Sequence, residues 1–297
     1  RGAEMENEIK ENSRIKRFVI HFLMLLLAFA CVAPFFMIIS TSFLSEKNFS
    51  ANGYALFPRE FCFDAYKFVF RNPRTILNSY ALTIFTTVVG TAVGMFLMTS
   101  TAYPLSRADY KFKGPLSFYV YFTMLFNGGM VANYIWITRY LNLYNSVWAL
   151  ILPGLMSASN LLILRTFFKT VPISLIESAK LEGASEFRIY LTIVIPLAKA
   201  GIATIMLITA FTYWNEWMRS MLYMDQGDKL TIQYYLVKIL EEVNLAKEYS
   251  DMMTETPPAN ESVRMAICLL AAGPMTAIFP FFQKYFVKGI TVGSVKG

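Results

Sequence analysis

Long apolar stretches alternate with short polar ones along the chain, and six of the apolar stretches are long enough to cross a lipid bilayer. A helix rises about 1.5 Å per residue, so about 20 apolar residues cover a hydrocarbon layer roughly 30 Å thick. Runs of that order extend approximately from Phe18 to Phe43, Ile76 to Tyr103, Leu116 to Ile137, Val147 to Phe168, Ile189 to Trp217 and Met265 to Phe286. Pro104, Gly114-Pro115, Pro172 and Pro257-Pro258 punctuate them, as residues that end or kink helices should. The pattern predicts an all-α integral membrane protein of about six transmembrane helices. A polar segment 1–17 precedes a transmembrane domain 18–286, and a tail 287–297 follows. Residues 1–4 read as a cloning remnant ahead of Met5.

Composition agrees with the pattern. With 56% hydrophobic and 16% charged residues and a mean hydropathy of +0.45, the chain is too apolar for an ordinary water-soluble domain. The first stretch follows Arg14, Lys16 and Arg17 as a secretory signal would, but it is too long and lacks a small-x-small cleavage site, so it reads as a retained anchor. Lysine and arginine concentrate at alternate span ends. That asymmetry places both termini in the cytoplasm, and an even number of spans agrees. The net charge of +7 therefore points to anionic lipid headgroups and not to nucleic acid. Cys31, Cys62 and Cys268 are scattered without metal or disulfide spacing, and the single His21 reads as an interfacial ring satisfied by water or backbone.

Two polar segments have content of their own. The outer loop, residues 219–264, carries Leu236, Ile239, Leu240 and Val243 at helical spacing amid acidic residues, which predicts a short amphipathic helix. It would lie on a surface or receive an external partner. The inner segment, residues 169–189, reads from Val171 V-P-I-S-L-I-E-S-A-K-L-E-G-A-S-E-F-R-I and runs on into Y-L-T-I-V-I-P. Ser174 with Glu177 three residues on forms a capping box, predicting a helix from about Leu175 to Glu182. Gly183 can take the left-handed turn that ends it, and Ser185 caps a second helix leading into the fifth span.

This inner segment resembles the signature of permease subunits in bacterial ATP-binding-cassette importers: E-A-A, three residues, G, nine residues, then I-x-L-P. Glu177, Ser178 and Ala179 stand for the first three, Gly183 for the glycine, and Ile193, Ile195 and Pro196 for the tail. Serine replaces the first alanine and isoleucine the leucine, both close in size. The likeness extends along nearly the whole chain and is nearest to the carbohydrate, maltose-permease-like branch. Supporting segments are N-S-Y at Asn78–Tyr80, A-Y-P-L-S-R at Ala102–Arg107 and W-N-E-W at Trp214–Trp217. The ending from Phe281 to Gly297 is similar to that of a Gram-positive subgroup importing complex oligosaccharides.

The resemblance implies a type I importer fold in the plasma membrane. Its partners would be a second homologous permease, two ATP-binding subunits and an extracellular sugar-binding lipoprotein. The helix of the inner segment would fit a cleft in an ATPase, while ATP and Mg would be bound by those partners and no cofactor by this chain. The sequence agrees, since it contains no G-x-x-x-x-G-K-[ST] phosphate loop, no catalytic constellation and no metal-ligand cluster. For a substrate path, Asn127 beside Gly128-Gly129 could offer an amide to sugar hydroxyls, or mark a helix-packing notch. Trp214, Asn215, Glu216 and Trp217 could stack on sugar rings, or form an interfacial belt. Two other classes remain open at this point. An ion-driven transporter needs buried ionisable groups, and Glu216 is the only acid in any span. A membrane scaffold or sensor could also use a docking loop.

Overall fold

The computed structural model describes residues 2–45, 48–49, 53–54, 61–225, 227, 229–248 and 260–293, with backbone alone for 2–15, 246–248, 260 and 282–293. Pro257-Pro258 and residues 294–297 of the tail lie outside this set. Among the described residues there are helices and no strands. In chain order they are α1 (Gly2–Ser42), α2 (Asp64–Val69), α3 (Pro73–Ser106), α4 (Lys113–Leu125), α5 (Gly129–Ile135), α6 (Val147–Ile151), α7 (Ala158–Lys169) and α8 (Ile173–Leu181). Then come α9 (Glu186–Leu197), α10 (Lys199–Trp214), α11 (Met218–Tyr223), α12 (Ile232–Glu248) and α13 (Asn260–Gly293).

Among the described residues, three segments are single helices long and apolar enough to span: Lys16–Ser42, Pro73–Ser106 and Glu261–Phe281. Two more are bent pairs, Val147–Gly154 with Ala158–Lys169 at 48° and Glu186–Leu197 with Lys199–Trp214 at 83°. Both bends follow a proline, Pro153 and Pro196, whose missing N–H and ring clash weaken the helical ladder. The segment before the sharper bend is a π-turn, Tyr190–Val194, a wider coil that gives the ring of Pro196 room. The third predicted span, Leu116–Ile137, is not one helix. It breaks at Phe126–Gly128 into α4 and α5, where the Asn127 side chain accepts the amide of Gly129 at 2.9 Å and Gly129 sits at φ +82°.

By contact density the chain divides into two units, Arg1–Arg71 with Leu240–Leu270, and Asn72–Ile239 with Ala271–Gly297. In the first, α1 exposes Phe18, Leu25 and Phe29 as a lipid-facing helix does. His21 Nδ1 donates to the Arg17 carbonyl at 2.6 Å, the backbone partner expected of it. The amphipathic helix of the outer loop is α12, and its Glu242 pairs with Arg71. Arg264 bonds Glu261 at 2.8 Å and Asn244 at 2.6 Å. Of the expected apolar stripe, Leu236, Ile239 and Val243 are buried and Leu240 half-buried.

In the second unit, α3 packs against α7 and α10 with small residues at the closest approaches. A side chain at Gly90 would overlap the Tyr213 ring, and one at Gly94 would lie 2.8 Å from the Leu155 carbonyl. Lipid gives helices no hydrophobic reason to associate, so close backbone approach and dispersion hold them. Some buried threonines of α3 bond back along the helix: Thr83 Oγ1 donates to the Ser79 carbonyl at 2.8 Å and accepts the amide of Ile232 at 2.8 Å. Toward the far end of α3 lies an apolar core of Met98, Leu105, Leu164, Phe168, Ile189 and Ile205.

Candidate functional site

The inner segment folds into two helices at a glycine corner, with one correction at its start. The N-cap of α8 is Pro172, at φ −59° and ψ 127°, and no side chain caps it. Ser174 therefore stands inside the first turn and the capping box does not form. The proline, with φ already fixed near the helical value and extended ψ, starts the helix ahead of the serine. The other end forms as predicted. Gly183 takes φ +80°, its amide bonds the Lys180 carbonyl at 3.0 Å, and the Ala184 amide bonds the Ala179 carbonyl at 2.9 Å. That is a Schellman turn, which satisfies carbonyls a helix end leaves open. Ser185 then caps α9 by accepting the Arg188 amide at 3.3 Å.

Burial sorts the motif into two faces. Ile176 is buried in the apolar core, and Ala179, Ala184, Ile193 and Ile195 pack against it. Glu177, Ser178, Gly183 and Pro196 are exposed, as is Leu181 at 91%. So large an exposed leucine at the tip of a docked helix is an apolar knob without a socket among the described residues. Side chains that the motif did not single out secure it. Lys180 pairs with Asp109 at 3.1 Å and with Glu186 at 2.6 Å. Their signal in the sequence was faint, since Asp109 is 71 residues from Lys180.

Four of the five candidate substrate residues line two cavities of the second unit, and Trp217 lines neither. The larger, about 600 Å³, is lined by Asn127 and Glu216 among others, together with Asn133, Trp136, Arg219 and Tyr223, which sequence reasoning missed. Glu216 is not a lone acid. Its carboxylate pairs with Arg219 at 3.0 Å, both side chains being 18% exposed, and it accepts the Arg219 amide at 3.0 Å. Arg219 also donates to the Leu150 carbonyl at 2.9 Å and lies over the Tyr213 ring. Trp214 and Asn215 line the second cavity, about 390 Å³. Trp214 is buried and its indole N–H donates to the Ala271 carbonyl at 2.9 Å, while Trp217 is 39% exposed. The structure thus brings Asn127 and Glu216 to one cavity and separates them from Trp214 and Asn215. Among the described residues no cluster of His, Cys, Asp and Glu could hold a metal ion.

No protein-family model matches the chain. It is 40% identical over 286 residues to the polygalacturonan/rhamnogalacturonan transport system permease protein YtcP of Bacillus subtilis, covering 96% of this chain and 99% of that one. The chain belongs to the permease subunits of ABC sugar transporters. This permease is also 39% identical over 266 residues to protein LplC of Bacillus subtilis, covering 90% of each. The permease resembles a solved chain with a TM-score of 0.78 at 29% identity, covering 92% of this chain and 97% of that one. That structure is of a bacterial ABC transporter involved in the import of the acidic polysaccharide alginate. The permease is thus a multi-pass protein of the bacterial plasma membrane, and its helical architecture is that of an ABC importer permease.

Proposed function

We propose that this permease forms half of the translocation path for an oligosaccharide, beside a second related permease, and that α8 couples the path to two ATP-binding subunits. The observation that carries the reading is α8 itself, anchored by Ile176 while Glu177, Ser178 and Leu181 face outward. A cytoplasmic ATPase closing on ATP and Mg would take hold of that outer face. The corner at Gly183 would then pass the movement into α9 and, through the bend at Ala198, into α10. Access switches from one side of the membrane to the other as a rigid-body change between two states. This chain transmits force and performs no bond chemistry, and both of its termini lie in the cytoplasm.

On the outer side, an extracellular sugar-binding lipoprotein delivers the cargo, with α12 and the rest of residues 219–264 as its landing surface. The larger cavity suits a sugar: amides of Asn127 and Asn133 for hydroxyls, and the exposed indole of Trp136 for the apolar face of a ring. One named relative is a polygalacturonan/rhamnogalacturonan transport permease and the solved neighbour belongs to an importer of the acidic polysaccharide alginate, so oligomers of uronic acids are the first cargo to test. The experiment is uptake of a radiolabelled oligogalacturonide by cells with the gene intact, deleted or restored. Uptake lost on deletion and regained on restoration is expected. Unchanged uptake in the deletion strain overturns the cargo assignment.

A further inference from the structure

Three segments meet at one end of the second unit: the end of α3, the coupling helix α8 and the start of α9. Lys180 stands at their junction. Its ammonium reaches Asp109 Oδ2 at 3.1 Å and Glu186 Oε1 at 2.6 Å. Asp109, in the turn after α3, is held from behind by Arg107, whose Nε and Nη2 donate to its two carboxylate oxygens at 3.1 and 2.9 Å. Those bonds and the one from Lys180 hold the Asp109 carboxyl down to about 2, so it is charged at any physiological pH. Glu186, in the first turn of α9, accepts on its other oxygen from the Tyr103 hydroxyl at 2.5 Å. Tyr103 and Arg107 lie one helical turn apart at the end of α3. The contacts therefore close a ring that leaves α3 at Tyr103, passes through Glu186, Lys180 and Asp109, and returns at Arg107.

Stability does not explain this ring. The Lys180 side chain is 37% exposed, those of Asp109 and Glu186 56% and 55%, and ion pairs so open to water contribute little to folding. What holds α8 down is Ile176 in the core. With Ala179 the only other side chain of α8 packed against that core, the contact is a narrow one that fixes position but gives a short helix little resistance to rolling about its axis. A lysine bonded to acids on two other segments removes that freedom. We infer that Lys180 is a positioning residue for energy coupling, tying α8 to Asp109 and Glu186 so that the coupling helix, the end of the second span and the entrance to the fifth move as one body. This rests on the reading of α8 as the contact for ATP-binding subunits.

The test uses the whole transporter purified from its native membrane into lipid nanodiscs, and it needs no knowledge of the cargo. With Cys31, Cys62 and Cys268 replaced by serine, an Asn133→Cys reporter in the larger cavity is labelled by a membrane-impermeant maleimide, with and without ATP and vanadate. The unaltered Lys180 background is expected to change its labelling rate on trapping. In Lys180→Met the change should shrink about tenfold, the scale of an intersite coupling, while the ATP-binding subunits stay bound. Lys180→Arg should restore it, and Lys111→Met, a charge loss in the same loop region, should leave it intact. Asp109→Asn, a substitution outside α8 that removes the charge facing Lys180, should reproduce the loss even if Lys180→Met fails to assemble. A full response in both Lys180→Met and Asp109→Asn overturns the inference, as does release of the subunits by Lys180→Met while Asp109→Asn responds fully. A Lys180 background that brings down no ATP-binding subunit overturns the importer reading and this inference together.

Discussion

Replacing Arg219 with methionine removes three contacts at once: the ion pair to Glu216 at 3.0 Å, the bond to the Leu150 carbonyl at 2.9 Å and the face over Tyr213. The Leu150 and Ile151 carbonyls belong to the last turn of α6, where a helix end leaves acceptors open and Pro153 cannot donate. Arg219 takes the first and the Tyr213 hydroxyl the second, at 2.7 Å. A guanidinium at that C-terminal end also opposes the negative pole of the helix. Breaking a buried pair by removing one partner costs about 3–5 kcal/mol. The residual 18% exposure of each partner lowers the expected cost to about 2–3 kcal/mol. At about 2–4 °C per kcal/mol, the apparent Tm should fall by about 5–10 °C. Glu216→Gln should cost about 1–2 kcal/mol, because Gln still accepts the Arg219 amide. The double variant should recover about 1–2 kcal/mol of the summed losses, the coupling that direct partners show. The assay is thermal melting of the four proteins in one detergent, followed by uptake. Additivity within about 0.5 kcal/mol would refute the lock. ATP-driven uptake should survive in the double variant. An abrupt loss of uptake with an unchanged Tm would show instead that Glu216 handles a coupling ion.

At Gly183 the space around a Cβ is open, so Gly183→Ala should cost only the left-handed strain of about 1 kcal/mol, and the assembled transporter should still turn over. Gly183→Pro cannot reach φ +80° and loses the amide bond to Lys180, so ATP hydrolysis should uncouple from uptake in proteoliposomes. Gly201→Val drives a side chain into the Phe167 ring where α10 meets α7, which should destabilise by about 1–3 kcal/mol in a melting assay. Phe167→Leu in the same chain should return part of that loss. The Asp109 carboxyl is depressed from 3.8 to about 2, so the stability it contributes is complete above pH 3.8 and is lost only as pH falls through about 2. Conformational switching monitored from about pH 5 to 8 should show no inflection from this arm of the ring, and a step abolished by Asp109→Asn would contradict it.

Five of the six expected spans were legible because hydropathy over about 20 residues reports a demand of the solvent, which neighbouring helices do not alter. Gly183 and Ser185 were legible for a related reason: left-handed turns and helix caps are set within a few residues. The capping box failed on the same local scale. A serine at the right spacing could not outweigh the proline that starts the helix two residues earlier. The break at Asn127 was visible as polarity and glycine, yet the sequence could not say whether it divides the helix. The ring about Lys180 and the reach of Arg219 to the Leu150 carbonyl were hidden, since each joins groups about 70 residues apart that tertiary folding brings near. A lone Glu216 read as a span's only acid. The arginine that neutralises it is only three residues on, in a local pair at the start of α11, and lay beyond the end assigned to the span.

Purification of the tagged chain from its native membrane, with the retained subunits identified by mass spectrometry and their ATP turnover measured, tests the central claim most directly. The account expects a second permease and ATP-binding subunits to accompany the wild type, and Glu177→Ala, on the exposed face of α8, to weaken their retention or their turnover. A chain that purifies without any ATP-binding subunit, or a complex indifferent to changes across the exposed face of α8, would contradict it.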